Sequence, residues 1–333
     1  MKSNIPVAWL LMLLFSGLNG LAQKKPIVKK TYSNPLILGQ SPTKRLSLSY
    51  EIQPVFHGST RFTNAPLPVA YTTNIQTTQS VRLGYTKTLF AKPKLYMSFN
   101  AGYWFSTFNI SNPKNNSFAL LLSQRQFHSF TAGTNIFKPL NAKNFLLVNV
   151  SLEANGNGES LQNISGNNLL AGGAIIYGWK KGLKRMWGIG VFRGYRLGKV
   201  IHVPALLYNN SFNKKWGVDA LLPARANLRY AKSPKTVWTF GYELDGTQFA
   251  IYSSNPIYNN AFFQRGEIRA KVGLEKKLSK VWAFTANAGL RMNGRFDITN
   301  DYAGDKPIVQ TDLNPAFFIN GGIHITAFPK KKK

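Results

Sequence analysis

His57 and Ser59 are the residues of this sequence that come nearest to a catalytic pair, because they stand two positions apart and so share one face of an extended chain. A serine hydroxyl beside an imidazole can be activated for attack on an ester. The other histidines, His128, His202 and His324, are too scattered for a His-x-x-x-His metal pair. The absence of cysteine excludes a cysteine nucleophile and a cysteine-ligated zinc site. No Gly-x-Ser-x-Gly elbow or phosphate loop occurs, so we predict no metal site and no cofactor.

The first 22 residues have the layout of a secretory signal peptide. A positive start precedes the apolar run from Ile5 to Phe15, and Gly20 and Ala22 supply the small residues before a cut. The run is too short for a stable membrane span, although an uncleaved anchor helix is the alternative. We predict a signal peptide over 1–22 and an exported chain, with a periplasmic leader over 23–44 that is too short for a plug domain.

The remaining chain alternates apolar and polar side chains in segments of about ten residues. Leu146, Val148 and Val150 alternate with Asn149 and Ser151, for example. Large apolar residues occupy one face along nearly its full length, which is typical of a lipid-facing strand. The prediction is an all-β, transmembrane antiparallel β-barrel over residues 45–328, and a soluble, secreted β-sandwich that binds a ligand is the alternative. Similar segments lie at 94–105, 265–275 and 282–293.

The connections between segments alternate between short and long, as in outer-membrane barrels. We place the short ones in the periplasm and the long ones outside. Four tryptophans open strands shortly after basic residues, and their rings are predicted to form an aromatic girdle at one membrane face: Trp187, Trp216, Trp238 and Trp282. Short turns are predicted at 91–93, 138–143, 180–184, 233–234 and 277–279, and long connections near 57–78, 107–123, 156–167, 247–260 and 297–313.

The number of strands follows from parity. Single-chain bacterial barrels have even strand numbers, whereas a simple count of the segments is odd. Pro223 interrupts the long segment 216–230, and proline cannot donate a hydrogen bond inside a strand. A hairpin at Leu222–Pro223 therefore brings the count to about 14 strands, with 12 as the alternative if two weak segments are loops.

The signal layout, the two-residue period and the closing segment 317–328 resemble bacterial outer-membrane β-barrels. The resemblance implies insertion into the outer membrane by barrel-assembly machinery. Such chains usually end on an aromatic residue, whereas Phe328 is followed here by a basic tail over 329–333. A narrower resemblance, to an uncharacterised barrel family of unknown function, rests on Pro204-Ala205-Leu206-Leu207-Tyr208, Lys215-Trp216, Leu222-Pro223 and Leu228-Arg229-Tyr230.

Charged residues recur on the polar faces of the predicted strands. They could line a water-filled pore that favours anions, as rings of basic residues do. They could instead pair across strands and fill a narrow interior, which we favour slightly for each individual residue. The candidate lumen-lining residues are Glu51, Glu153, Asp219, Arg225, Arg229, Glu243, Arg265, Glu267, Arg269, Lys271 and Arg291.

The 333 residues include 42 Lys and Arg against 12 Asp and Glu, a net charge of +30. Such a charge would suggest nucleic acid as the partner of a cytosolic protein, but export removes that partner. The predicted partners are therefore outer-membrane lipids and lipopolysaccharide, and a solvated basic surface without a ligand is the alternative. The basic residues expected at periplasmic strand ends are Lys180, Lys181, Lys184, Arg185, Lys214, Lys215, Lys276, Lys277 and Lys280.

Together these patterns predict a non-enzymatic outer-membrane barrel, either a passive pore for an unknown small solute or a structural barrel. A lipid hydrolase using His57 and Ser59 is the enzymatic alternative, since a His-x-Ser pair is similar to the catalytic arrangement of outer-membrane phospholipases and lipid A deacylases. In those enzymes the pair points toward lipid. Here the pair continues the phase of Ser47, Ser49 and Glu51, so it is expected to point inward or to lie in a loop.

Overall fold

The computed structural model describes residues 32–37, 39–41, 43–63, 70–162, 164–195, 198–302, 304 and 306–326. The predicted signal peptide, the first part of the leader, Phe328 and the basic tail lie outside the described residues. The described part contains sixteen β segments, two α-helices and two short 3₁₀ turns. No helix in these ranges is both long enough and apolar enough to cross a bilayer.

The β segments are β1 (Leu46–Gln53), β2 (Phe56–Phe62), β3 (Ala70–Lys92), β4 (Leu95–Ser111), β5 (Phe127–Pro139), β6 (Asn144–Asn157), β7 (Leu169–Lys181), β8 (Arg185–Gly194), β9 (Ile201–Ser211), β10 (Trp216–Leu222), β11 (Arg225–Ser233), β12 (Thr236–Ala250), β13 (Phe262–Lys277), β14 (Trp282–Thr299), β15 (Pro307–Leu313) and β16 (Ala316–Ile325). The helices are α1 (Ser117–Gln124), between β4 and β5, and α2 (Gly158–Gln162), between β6 and β7.

All sixteen segments belong to one closed sheet. β1 and β2 are the halves of one strand bent at Pro54-Val55, and β15 and β16 are the halves of another bent at Asn314-Pro315. β1 pairs with β16 and β2 with β15, while β3 pairs with both β1 and β2. The result is an antiparallel barrel of 14 strands, as predicted. A single closed sheet also replaces the two packed sheets that the sandwich alternative required.

The two-residue period places apolar side chains outside and polar ones inside over most of the barrel. Along β14, Trp282, Phe284, Leu290 and Met292 are exposed, whereas Arg291 between the last two is fully buried. A barrel side chain that is exposed on the outer wall meets hydrocarbon when the barrel spans a membrane. The outward faces of the other strands are similarly rich in exposed Leu, Ile, Val and aromatic residues.

The turns follow the predicted alternation of short and long connections. The five predicted short turns all join adjacent strands at one end of the barrel, and Pro223 lies in the tight β10–β11 hairpin at the other end. The long connections are shorter than predicted, because the strands continue into them. β3 starts at Ala70, β4 reaches Ser111 and β12 reaches Ala250. At these strand ends polar residues take inward and outward positions in turn and still pair across the sheet. The strands therefore extend the wall beyond its apolar band.

Two apolar clusters close the barrel interior near its two ends. The outer apolar plug lies at the long-connection end and is built around α1 and ring contacts among Phe108, Phe127, Phe263 and Phe296. The inner apolar cluster comprises Ile37, Phe137, Phe145, Ile176, Met186, Ala205 and Leu207, with part-buried neighbours. Between them the inward positions are polar.

Candidate functional site in the barrel interior

Arg269 on β13 is the centre of a buried group of charges, which we call the ion layer. Its guanidinium lies 2.9 Å from both carboxylate oxygens of Glu51, 2.8 Å from Glu267 and 2.9 Å from Asp245. These four side chains come from β1, β13 and β12 and are all buried. A charge in such a site is stable only when it is paired and hydrogen-bonded, and Arg269 meets this condition with three acidic partners.

Three further arginines complete the ion layer. Arg82 on β3 reaches across the interior to Asp245, with 2.5 Å between Nη2 and Oδ2. Arg265 bonds Glu267 at 3.0 Å between Nε and Oε1. Arg291 has no hydrogen-bond partner for its guanidinium among the described residues, but it lies 3.9 Å from the ring centroid of Phe56, a cation–π contact. The ion layer therefore consists of Glu51, Arg82, Asp245, Arg265, Glu267, Arg269 and Arg291.

The other predicted lumen-lining residues occupy inward positions around this layer. Arg229 bonds Asp219 at 3.0 Å. Lys271 is paired with Glu243, and Arg225, which stands opposite Glu243 in the sheet, is exposed. Glu153 accepts hydrogen bonds from Asn155 and Thr247, which link the upper ends of β6 and β12. With the exception of Arg225, these charged side chains have polar or oppositely charged partners rather than facing an unobstructed pore.

Two members of the ion layer were not among the predicted residues. Asp245 follows Glu243 by two positions, so the alternation alone could have placed it on the same inward face. Arg82 lies between Val81 and Leu83 on β3 and also packs 4.4 Å from the ring centroid of Trp104. Only the three-dimensional closure of the barrel brings β3 opposite β12, and the sequence carries no signal for that contact.

The outer apolar plug combines wall side chains with a helix, α1, that is not part of the wall. Asn116 caps α1 by accepting a hydrogen bond from the backbone N–H of Ala119 at 2.7 Å. The side chains of Phe118 and Leu122 are fully buried. Ser117 lies 2.6 Å from the hydroxyl of Tyr258, and burial raises the pKa of that hydroxyl, so it stays neutral. α1 is thus fixed inside the mouth of the barrel.

The inner end of the barrel is narrowed by the described part of the leader. Ser33 donates its backbone N–H to the carbonyl of Asn141 at 3.0 Å. The ammonium of Lys180, inward on β7, donates to Asn34 and to the backbone carbonyl of Leu36. Ile37 is buried in the inner apolar cluster. This stretch of the leader is held against inward-facing groups at the short-turn end.

His57 and Ser59 point outward, so the expectation that they point inward or lie in a loop is wrong. Both lie on β2 and are exposed, whereas Phe56, Gly58 and Thr60 are buried. The bend at Pro54-Val55 shifts the alternation by one residue, so the phase of β1 does not continue into β2. Nδ1 of His57 lies 2.7 Å from Oδ1 of Asn74 on β3. No cluster of three or more His, Asp or Glu that could hold a metal exists among the described residues.

The four predicted girdle tryptophans all lie at the short-turn end of their strands. Trp187, Trp216 and Trp282 are exposed and Trp238 is half-buried. Trp187 stacks on Trp179 of β7, with 4.1 Å between ring centroids. The rings are placed where an amphipathic belt at a membrane surface would lie.

The barrel resembles outer-membrane channels of known structure. The COG4313 outer membrane channel from Pseudomonas putida F1 is 12% identical, with 91% of this chain and 100% of that chain covered and a TM-score of 0.38. For the toluene transporter TodX from Pseudomonas putida the identity is 9%, the coverage 90% and 96%, and the TM-score 0.35. For the translocator domain of the autotransporter NalP from Neisseria meningitidis the values are 12%, 87% and 91%, and 0.34. No curated protein matches the sequence.

The family comparison covers the greater part of the barrel. The matched segment, residues 94–326, runs from the turn before β4 to the end of the last strand. It contains the stretches 204–208 and 215–230 on which the narrower resemblance rested, so that prediction is confirmed. The segment also contains both strands of the β10–β11 hairpin and most of the ion layer. The chain belongs to the family defined by the domain of unknown function DUF6268.

Proposed function

We propose that this protein is an outer-membrane channel for a small solute, closed in the described conformation. The observation that carries the proposal is that segments outside the wall take part in closing both ends of the interior. A barrel of 14 strands is intermediate between barrels of about eight strands, which wall side chains fill, and open porins of about 16–18 strands. Helix α1 packs among wall side chains such as Phe108 and Phe263 at one end, and Ile37 of the leader packs among wall side chains at the other. Segments that are not part of the sheet can leave without breaking the barrel hydrogen bonds.

The leader offers the most direct test, because two neighbouring residues differ in burial. Ile37 is 6% exposed and packs in the inner apolar cluster, whereas Leu36 is 68% exposed. Ile37→Asn should therefore detach the leader, and Leu36→Asn is the matched control. Neither residue belongs to a barrel strand, so both variants should keep the heat-modifiable gel mobility of a folded barrel.

Planar-bilayer recordings on the refolded mature chain then separate the channel from a structural barrel. The wild type is expected to show rare or small current steps, and Ile37→Asn larger or more frequent ones. Leu36→Asn should behave like the wild type. Absence of stepwise current in all three proteins would leave the structural barrel as the better interpretation.

A second candidate, an ester hydrolase at the outer surface of the barrel, is favoured by the outward direction of His57 and Ser59. Nδ1 of His57 lies 2.7 Å from Oδ1 of Asn74, and in the tautomer that donates to this oxygen Nε2 is the basic nitrogen. The pair follows the exposed Val55 along the outer wall. The candidate requires that this part of the wall lies at the level of the lipid ester groups.

Hydrolysis of a fluorescent short-chain phospholipid by the refolded barrel in detergent micelles tests this candidate. Activity that disappears in Ser59→Ala and falls strongly in Asn74→Ala would support a Ser-His-Asn arrangement. The matched control is Thr72→Ala, which removes another exposed hydroxyl opposite Ser59. Equal turnover by the wild type and Ser59→Ala would eliminate the hydrolase.

A further inference from the structure

A groove on the outward face of β6 to β9 joins an apolar surface to an exposed cation. The sheet register aligns Val150, Gly173, Arg193 and His202 side by side on four adjacent strands. Because Gly173 has no side chain, this row has a gap in its middle. The groove has a volume of about 520 Å³. The next outward row toward the short turns is apolar throughout and consists of Val148, Ile175, Val191 and Pro204.

The gap is a property of the backbone rather than of side-chain rotamers. A Cβ atom at Gly173 would lie 2.6 Å from the backbone oxygen of Asn149, which is closer than a carbon and an oxygen can approach. Any side chain here would force β6 and β7 apart. Above Gly173 the outward position is Ala171, also small. The groove therefore stays open between Val150 and Arg193.

Arg193 stands over this groove without an acidic partner. Its Nε donates to the carbonyl of Ala171 at 3.1 Å, and its Nη1 donates to Nε2 of His202 at 2.9 Å. Among the residues that the structure describes, no carboxylate forms an ion pair with it. These two bonds hold the guanidinium plane but leave its charge uncompensated. An exposed cation beside apolar surface on a lipid-facing wall attracts an anionic headgroup.

The position of the groove along the barrel selects the leaflet. Arg193 is one residue from the end of β8, at the long-connection end of the barrel, where Tyr302 also donates its hydroxyl to the carbonyl of Leu169 at 3.1 Å. Long connections face the outside in bacterial barrels. In an outer membrane the lipid at this level is a glycolipid that carries phosphates and several acyl chains.

We propose that the groove binds one anionic glycolipid of the lipid A type, with a phosphate on Arg193 and an acyl chain along Gly173 and Val191. A guanidinium presents two parallel N–H donors that fit phosphate oxygens. The proposal rests on the outer-membrane location but not on channel activity, so a barrel that never conducts can still bind the lipid.

Native mass spectrometry of the refolded barrel, released from detergent micelles that contain lipid A, measures the binding. The wild type should retain one lipid A in a saturable way. Arg193→Gln should weaken binding about ten-fold, the effect of losing one charge-assisted contact. Ala171→Phe keeps the charge but fills the groove, and it should weaken binding to a similar degree.

Lys87→Gln, at the short-turn end of β3, is the control for a general effect of charge. Lys87 is an exposed, outward cation on β3, but it stands between the large side chains of Tyr85 and Leu89 rather than over a gap. Its loss should leave lipid A binding unchanged. If Lys87→Gln weakens binding as much as Arg193→Gln, the barrel attracts lipid through its general charge, and the groove is not a site.

Two other probes, one lipid and one free anion, decide which molecule supplies the phosphate. Phosphatidylglycerol, an anionic lipid with two chains, should bind more weakly than lipid A, and millimolar inorganic phosphate should not displace lipid A. Equal retention of phosphatidylglycerol, or displacement by phosphate alone, would overturn the proposal. If Arg193→Gln loses the heat-modifiable mobility of the folded barrel, Ala171→Phe decides, and unchanged binding in that folded variant would overturn it.

Discussion

Replacement of Arg269 by methionine is expected to destabilise the barrel more than any exposed charge replacement. Arg269 bonds Glu51, Glu267 and Asp245 at 2.8–2.9 Å, and all of these side chains are buried. After the substitution, Glu267 keeps Arg265 and Asp245 keeps Arg82. Among the described residues Glu51 then keeps one hydrogen bond, 3.3 Å from Gln53, and the charges of Arg82 and Arg291 without an ion pair.

The expected loss of unfolding free energy follows from the carboxylate of Glu51, which loses its ion pair. Breaking a buried ion pair by removing one partner costs about 3–5 kcal/mol, because the other charge stays desolvated and unpaired. Arg61→Met is the matched control, since Arg61 pairs with Asp312 at 2.6 Å but the two side chains are 49% and 59% exposed. Exposed pairs contribute about 0–1 kcal/mol. Arg269→Met should therefore cost several times more than Arg61→Met.

The assay is urea unfolding of the barrel refolded into lipid vesicles, followed by tryptophan fluorescence and by gel mobility without heating. A companion double substitution, Arg269→Met with Glu51→Gln, removes the stranded charge and should restore at least about 1 kcal/mol, within the usual range of coupling between contacting residues. A loss below about 1 kcal/mol for Arg269→Met, or no recovery in the double variant, would refute the view that the buried carboxylate of Glu51 depends on Arg269.

The outer wall, the sheet packing and the outer apolar plug give three further predictions. With a single tryptophan retained, brominated lipid should quench Trp282, which is exposed on the outer wall, but not Trp104, which packs inside. Gly190→Ala should abolish heat-modifiable mobility, because a Cβ there would lie 1.9 Å from a backbone oxygen of β7, whereas Gly158→Ala, with open space around it, should not. Asn116→Ala should remove the N-cap of α1, cost about 1 kcal/mol in urea unfolding and increase bilayer current.

The architecture was predictable because its signal is repeated in every strand. Period-two alternation needs no knowledge of contacts between distant segments, and most strands show it independently of one another. The hairpin at Pro223 was predictable for a different reason, since proline lacks a donor and the barrel needs an even number of strands. Both arguments are local or topological, and neither depends on side-chain packing.

The filling of the interior was not predictable by the same means. The alternation identifies Glu51, Glu267 and Arg269 as inward residues but says nothing about which charges meet across the barrel. α1 occupies part of a segment predicted to be an outer loop. Its apolar run from Phe118 to Leu122 lacks the two-residue period by which the strands were recognised. The leader was expected to be a periplasmic segment, and its contacts with the wall through Ser33, Asn34 and Ile37 are visible only in the structure.

The bend at Pro54-Val55 explains why the interior changes character along the barrel axis. Below it, alternation turns Glu51 and Gln53 inward, where Glu51 belongs to the ion layer and Gln53 donates a hydrogen bond to Glu267. Above it, the phase shifts by one, so Phe56 turns inward and meets Arg291 and the outer apolar plug. The partner strand shifts phase in the same way at Asn314-Pro315, between β15 and β16. The two bent strands therefore stay paired on both sides of the bend, although the positions that point inward change by one residue in each. The same shift that seals the interior with apolar side chains moves the polar residues of β2 to the outer surface. Two proline-containing breaks thus decide which side chains of these two strands enter the interior and which lie on the outer surface.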